Sequence, residues 1–213
     1  MFIGHFAVAL GAKKFAPKQS IATMFIAAKF LDLLWPLLVI FGIENVSVDH
    51  TITEVTPFIF HYPYSHSLGM SLIWSVLAYG IFKMLKRSNK EALIIACLVF
   101  SHWVLDFVTH APDMPLWIFE GPKFGLGLWN NKMATFIIEV GIFLGGSYLY
   151  LKQTNSFKRK GSLFLLLFLF VMYCLNIFGP KPPVTMTAIQ IATPALSMWL
   201  IVAWAYYLDK SKE

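Results

Sequence analysis

Six stretches of this chain, at about 20–43, 67–85, 91–111, 132–151, 161–179 and 186–208, are apolar over enough residues to cross a membrane. A helix rises only ~1.5 Å per residue, so about 20 such residues are needed to span a hydrocarbon core of ~30 Å. Lipid offers the backbone no hydrogen bonds, and a spanning stretch must close its own as a helix. The expected fold is therefore all-α, a polytopic transmembrane helical bundle of about six spans forming a single integral membrane domain over 1–213. The first twelve residues are apolar too, yet too short to cross, and should form a half-helix at the interface or dipping partway in.

Composition agrees with a lipid environment: 58% of residues are hydrophobic and 13% charged, against about a quarter charged in soluble domains. The net charge of +6 raises the possibility of a nucleic-acid partner, but the basic residues sit where membrane topology wants them, and no such partner is expected. Lys13, Lys14 and Lys18 precede the first span, Lys83, Lys86, Arg87 and Lys90 follow the second, Lys152, Lys158, Arg159 and Lys160 follow the fourth, and Lys210 and Lys212 close the chain. Only Lys123, Lys132 and Lys181 occupy the alternate loops. That bias puts both termini in the cytoplasm. The long loops, 44–66 and 112–131, are then exterior and are the natural carriers of function. Cys97 and Cys174 lie in apolar runs and suggest neither a disulfide framework nor a cysteine zinc site. The opening MFIGHFAVAL lacks the basic start and cleavage site of a signal peptide and should be retained.

Ionisable residues inside spans are costly and mark function by default. The first span carries Lys29 and Asp32, the third His102, Asp106 and His110, and the fourth Glu139. Counted from the cytoplasmic edge, Asp32 stands at roughly 18 Å, His102 at roughly 16 Å, Asp106 at roughly 22 Å and Glu139 at roughly 20 Å. Three helices thus bring acids and a histidine to one level. His102, Asp106 and His110 recur every four residues and share a helix face, the way a helix presents two ligands to one metal. His66 can reach the layer from above and His5 from the half-helix.

Each residue has a plainer reading. Lys29 can neutralise Asp32 three residues on, or reach to the cytoplasmic edge. His102 with Asp106 can be a structural pair, Glu139 a protonated packing residue, and a lone His5 a core histidine. His50 and His61 belong to an exterior loop and read as solvated. The shared depth favours a common site, and two histidines with two carboxylates suit zinc or a similar divalent ion. No H-E-x-x-H, G-x-S-x-G, Walker or Rossmann pattern is present.

Gly4-His5-Phe6, Leu31-Asp32-Leu33-Leu34-Trp35-Pro36, Pro63-Tyr64-Ser65-His66-Ser67, Ser101 to Asp106, His110 to Leu116 and Gly125 to Asn130 occur in order. This set, over about residues 4–150, resembles bacterial membrane-bound metal-dependent hydrolases related to the LexA-regulated inner-membrane hydrolases. That family is distantly related to zinc-dependent phospholipase C and the single-strand nucleases. The resemblance implies metal ligands at His5, Asp32, His66, His102 and Asp106. His110, with Asp113 or Glu139, is left for any further metal, at a different spacing, so one or two ions are expected. It also implies that Asp32 holds or deprotonates the attacking water. Glu139, at the same depth, is read as a second catalytic carboxylate that either supports the ligands from behind or adds one more.

The function expected is metal-dependent hydrolysis of a phosphodiester or ester, with a membrane lipid as substrate. Residues 1–151 would carry the metal site and 152–213 two scaffold helices. A proton- or metal-coupled transporter using the same His/Asp cluster is the alternative. Transporters show half-repeats or broken helices, and the sequence displays neither. Oligomeric state is not legible.

Overall fold

The computed structural model describes residues 1–210, so Lys212 of the basic C-terminal pair lies outside the described residues. The chain opens with α1 (Ile3–Ala12), the half-helix, which is buried along nearly its whole length. It packs against α2 (Ile21–Ala28), α6 (Asn89–Thr109) and most extensively α7 (Lys132–Thr154). Ten residues rise only about 15 Å, so α1 starts inside the bundle, with Met1 and His5 buried, and reaches exposed Lys14 and Phe15 just past its end. Gly146 on α7 makes the packing possible: a Cβ there would stand 2.2 Å from the Ala7 carbonyl oxygen.

The first span is not one helix. Ser20 caps α2 by accepting the Thr23 N–H at 2.9 Å. Lys29 then leaves helical geometry, and α3 (Phe30–Ile40) departs at 58°. The expectation that no helix is broken is corrected here. The break places Ala28 in the last turn of α2, where carbonyls lack helical partners.

Beyond α3, β1 (Asn45–Val48) pairs antiparallel with β2 (Phe58–His61), Val46 opposite Phe60. The alternation turns Val46 inward while Ile59 and His61 face outward. A second hairpin joins β3 (Met114–Pro115) to β4 (Lys123–Phe124). The bundle is thus predominantly helical but not all-α. Its long loops carry two small antiparallel pairs, whose four- and two-residue strands are too short to stand out beside the apolar spans.

The short α4 (Pro63–His66) leads into α5 (Leu68–Met84). After α6 and α7 come α8 (Lys160–Phe178), α9 (Ala188–Ala195) and α10 (Met198–Lys210). Among the described residues, four segments are long and apolar enough to cross a membrane: α6, α7, α8 and α9–α10 taken together; the bent α2–α3 pair raises the number to five. The sixth expected span, 67–85, forms α5, whose 17 residues rise about 26 Å, short of a ~30 Å core.

Phe6, Phe25, Leu98, Phe143 and Leu169 belong to the main core, which joins α1, α2, α6, α7, α8 and α10. A smaller one, with Trp35, Val46, Tyr62, Met114 and Ala192, fastens the long loops to α3 and α9. The candidate site lies among these elements.

Candidate metal centre

Four elements meet at Asp106. His102 and Asp106 share the inner face of α6, and His102 Nε2 lies 3.0 Å from Asp106 Oδ2. From the start of α3, Asp32 brings Oδ1 to 3.5 Å from His102 Nε2 and 3.4 Å from His66 Nε2. His66 closes α4, with Nε2 3.8 Å from Asp106 Oδ2. His5 reaches in from α1, Nε2 3.0 Å from Asp106 Oδ1, its ring stacked on His102 at 3.8 Å. Met1 donates from its amine to Asp106, and to Thr109 Oγ1 at 3.1 Å.

Two overlapping trios, His5–Asp32–His102 and His66–His102–Asp106, each keep their ligand atoms within 4.8 Å of one another. Ligands of a tetrahedral zinc at 2.0–2.2 Å stand roughly 3.4 Å apart. The separations between His66 or His102 and the two carboxylates, 3.0 to 3.8 Å, bracket that value.

The histidine tautomers fit the same occupant. His102 Nδ1 is 2.8 Å from the Ala28 carbonyl oxygen. A carbonyl only accepts, so Nδ1 carries the hydrogen and Nε2 of the neutral ring presents a lone pair. That Nε2 is buried and has no hydrogen-bond partner among the described residues. Facing two carboxylates, this nitrogen is satisfied in one of two ways: by a second proton that makes the ring an imidazolium, or by a cation that takes its lone pair. His66 is oriented in a parallel way. Ser65 Oγ donates to Glu44 Oε2 at 2.7 Å and lies 2.7 Å from His66 Nδ1, so it accepts from that ring and leaves Nε2 to the cluster. Glu44 also accepts the Tyr64 and Ser65 N–H groups at 2.9 and 2.8 Å. Burial pushes the Glu44 carboxyl up to about 7, against the pull of these bonds.

The other candidates stand apart. His110 Nε2 is 4.0 Å from Asp106 Oδ1, and the residue belongs to neither trio. Its Nδ1 faces Asp113 at 3.0 Å and the Tyr62 hydroxyl at 3.1 Å, and that hydroxyl donates to Asp113 at 2.9 Å. Burial first, then the Asp113 charge, hold the Tyr62 phenol well above its ordinary range, so it remains a neutral donor. Glu139 turns to the start of α1, where Oε2 accepts the Phe2 and Gly4 N–H groups at 2.9 and 3.2 Å. It satisfies donors that every helix N-terminus leaves open. Lys29 pairs with Asp32 and lies over the rings of Phe2 and Phe6, within the bundle rather than at its edge.

Beside the cluster is a cavity of about 400 Å³, within the range of small-molecule sites. Asp32, His66, Asp106 and His110 form one patch of its wall; Trp35, Phe58, Met172, Met198 and Ile201 are among the apolar remainder. The Asp32 side chain is 25% exposed and that of Asp106 only 3%, so Asp32 is the carboxylate open to an occupant.

Sequence reasoning overlooked Glu44, Ser65 and Tyr62. Ser65 and Tyr62 sit in the HYPYSHS run, beside a histidine that had been singled out, whereas Glu44 follows the span at a position where a carboxylate is unremarkable. No curated protein and no solved structure matches the chain. A family model does, over residues 1–183, and by that match the chain belongs to the YdjM inner membrane protein family.

Proposed function

We propose that this protein is a metal-dependent hydrolase of the bacterial inner membrane, cleaving a phosphodiester or ester bond in a membrane lipid. The observation that carries the reading is the convergence of Asp32, His66, His102 and Asp106, with the buried His102 Nε2 making no hydrogen bond among the described residues while it faces both carboxylates. Asp32, His66, His102 and Asp106 would hold a divalent ion of the zinc class, with His5 adjoining or serving a second ion. Bound there, such an ion supplies a Lewis acid and lowers the pKa of water toward neutrality.

The chain's own residues divide the remaining work. Asp32, open to the cavity, takes a proton from the attacking water. The water oxygen bonds to phosphorus or acyl carbon as the ester bond breaks, and the departing oxygen takes up the proton that Asp32 received, which restores the carboxylate. Lys29 keeps Asp32 in place through their ion pair. Glu139 holds α1, and through it His5, against the cluster.

In the membrane the bent α2–α3 pair and α5 would complete six crossings, with both termini in the cytoplasm. Cysteine labelling should then reach positions near Lys86 and Lys158 only from the cytoplasm, and near Glu54 only from outside. The reverse pattern would overturn this topology.

A second reading has one observation in its favour. Broken helices are a mark of transporters, and α2–α3 is bent by 58° beside the cluster. A proton- or metal-coupled carrier would show flux in liposomes and release no product. The deciding experiment compares zinc-loaded wild type with His102→Ala in metal content and in hydrolysis of phospholipids and phosphodiesters. Product from wild type alone supports the hydrolase; equal product from both removes it.

A further inference from the structure

Nothing in a scissile head group requires a cavity whose wall is mostly apolar and extends away from the metal ligands. The cavity beside Asp32 is lined by residues of α3 and the long loops and by residues of α8, α9 and α10. The second wall is built by Met172 of α8 and by Ile191, Pro194, Ser197, Met198 and Ile201 around the α9–α10 junction. This region, expected from sequence to be scaffold, forms a surface of the site. The family match ends at residue 183, so the part of the wall between 191 and 201 lies beyond it.

We infer that this wall, residues 191–201, is the seat for one long alkyl chain of an amphiphilic substrate whose ester or phosphoester head lies against the Asp32–His66–Asp106 patch. The inference rests on the proposed hydrolase reading and names its substrate class, a long-chain amphiphile presented by the bilayer. Polarity argues for that occupant. The ionisable groups on the cavity wall, the Met1 amine, Lys29, Asp32, Tyr62, His66, Asp106 and His110, belong to or adjoin one patch, and the segment from 191 to 201 contains none. A wholly polar substrate would leave that wall without a partner, whereas an alkyl chain covers it. Moving a chain from lipid to an apolar wall gains little hydrophobic free energy, because lipid tails are as apolar as the wall. Discrimination must therefore come from shape, and side chains at 191–201 would set which chains fit. The break between α9 and α10 puts Ser197, a small residue, in the middle of this wall.

The test uses zinc-loaded full-length protein in nanodiscs and a hexadecylphosphonate bearing a diazirine at its chain end. Photolysis should give adducts within 191–201, suppressed by excess plain hexadecylphosphonate and unaffected by methylphosphonate. Ser197→Trp should reduce the suppressible adduct at least tenfold. Adducts that map only elsewhere, or that plain hexadecylphosphonate does not suppress, overturn the inference on the wild type alone, whatever the variant does. Suppressible adducts at 191–201 without hydrolysis of any lipid would retain the chain seat and remove the hydrolase. Hydrolysis without such adducts would do the opposite.

Discussion

Glu44 accepts the hydroxyl hydrogen of Ser65 at 2.7 Å. Because that hydrogen is committed to the carboxylate, Ser65 Oγ can only accept from His66 Nδ1, and the ring turns its Nε2 lone pair to the cluster. Orienting partners of this kind typically cost 10–100-fold in metal affinity when removed. Glu44→Gln should do so. Its amide oxygen can still accept the Tyr64 and Ser65 N–H groups, but its NH2 cannot accept the hydroxyl, which is then free to donate to His66 Nδ1. Zinc affinity measured by chelator competition should fall about 10–100-fold, with Ser65→Ala falling alongside. An unchanged affinity in both variants would mean that His66 is not oriented this way.

The same carboxylate should leave a mark on stability. In the fold it titrates at about 7 rather than 4.5, because burial disfavours its charge. The folded chain therefore holds this proton more tightly than the unfolded one. The resulting stability is fully present below pH 4.5 and is lost as pH rises through about 7. Metal-free wild type should melt lower at pH 8 than at pH 5 by more than Glu44→Gln does. Parallel pH profiles for the two proteins would contradict this assignment.

Glu139 separates a capping role from a catalytic one. It accepts two N–H groups at the start of α1, and both can be met by an amide oxygen. Glu139→Gln should keep its metal and most of its activity. Glu139→Leu leaves the donors buried and unmet at about 1–3 kcal/mol each, so its melting temperature should drop and His5 should lose its position. An inactive, fully folded, metal-loaded Gln variant would instead make Glu139 a chemical participant.

How much could be read from the residues depends on where the physical signal lay. Asp32, His102 and Asp106 were legible because an ionisable group within an apolar run has few ordinary explanations. His66 and His5 were within reach of that layer by their positions at the mouth of a span and on the half-helix, and the ordered motifs around them then tied both to it. The break at Lys29 was not: no glycine or proline stands at 28–30, and the partner of the freed Ala28 carbonyl, His102, exists only once the helices pack. The wall at 191–201 was hidden for another reason. Apolar side chains facing a cavity look the same in sequence as apolar side chains facing lipid.

The sharpest test of the chemistry compares His102→Ala with Asp32→Asn. His102 offers the cluster one nitrogen, oriented by the Ala28 carbonyl, and with Nε2 engaged by an ion the ring could accept no proton from the attacking water. Its loss should remove metal and activity together. Asp32 has two tasks. One oxygen faces His66 and His102 and the other pairs with Lys29, while the side chain is 25% exposed toward the cavity, where it can receive a proton. An asparagine there can still offer a carbonyl oxygen to an ion but cannot act as base. Asp32→Asn should therefore retain a substantial fraction of the zinc while activity falls by 10²–10⁴, the usual contribution of a positioned general base. Metal content by elemental analysis and turnover on the same preparations give the comparison directly. If metal and activity fall in the same proportion in Asp32→Asn, Asp32 is a ligand alone and the proton goes elsewhere. If activity survives in metal-replete Asp32→Asn, the mechanism assigned to this carboxylate is wrong.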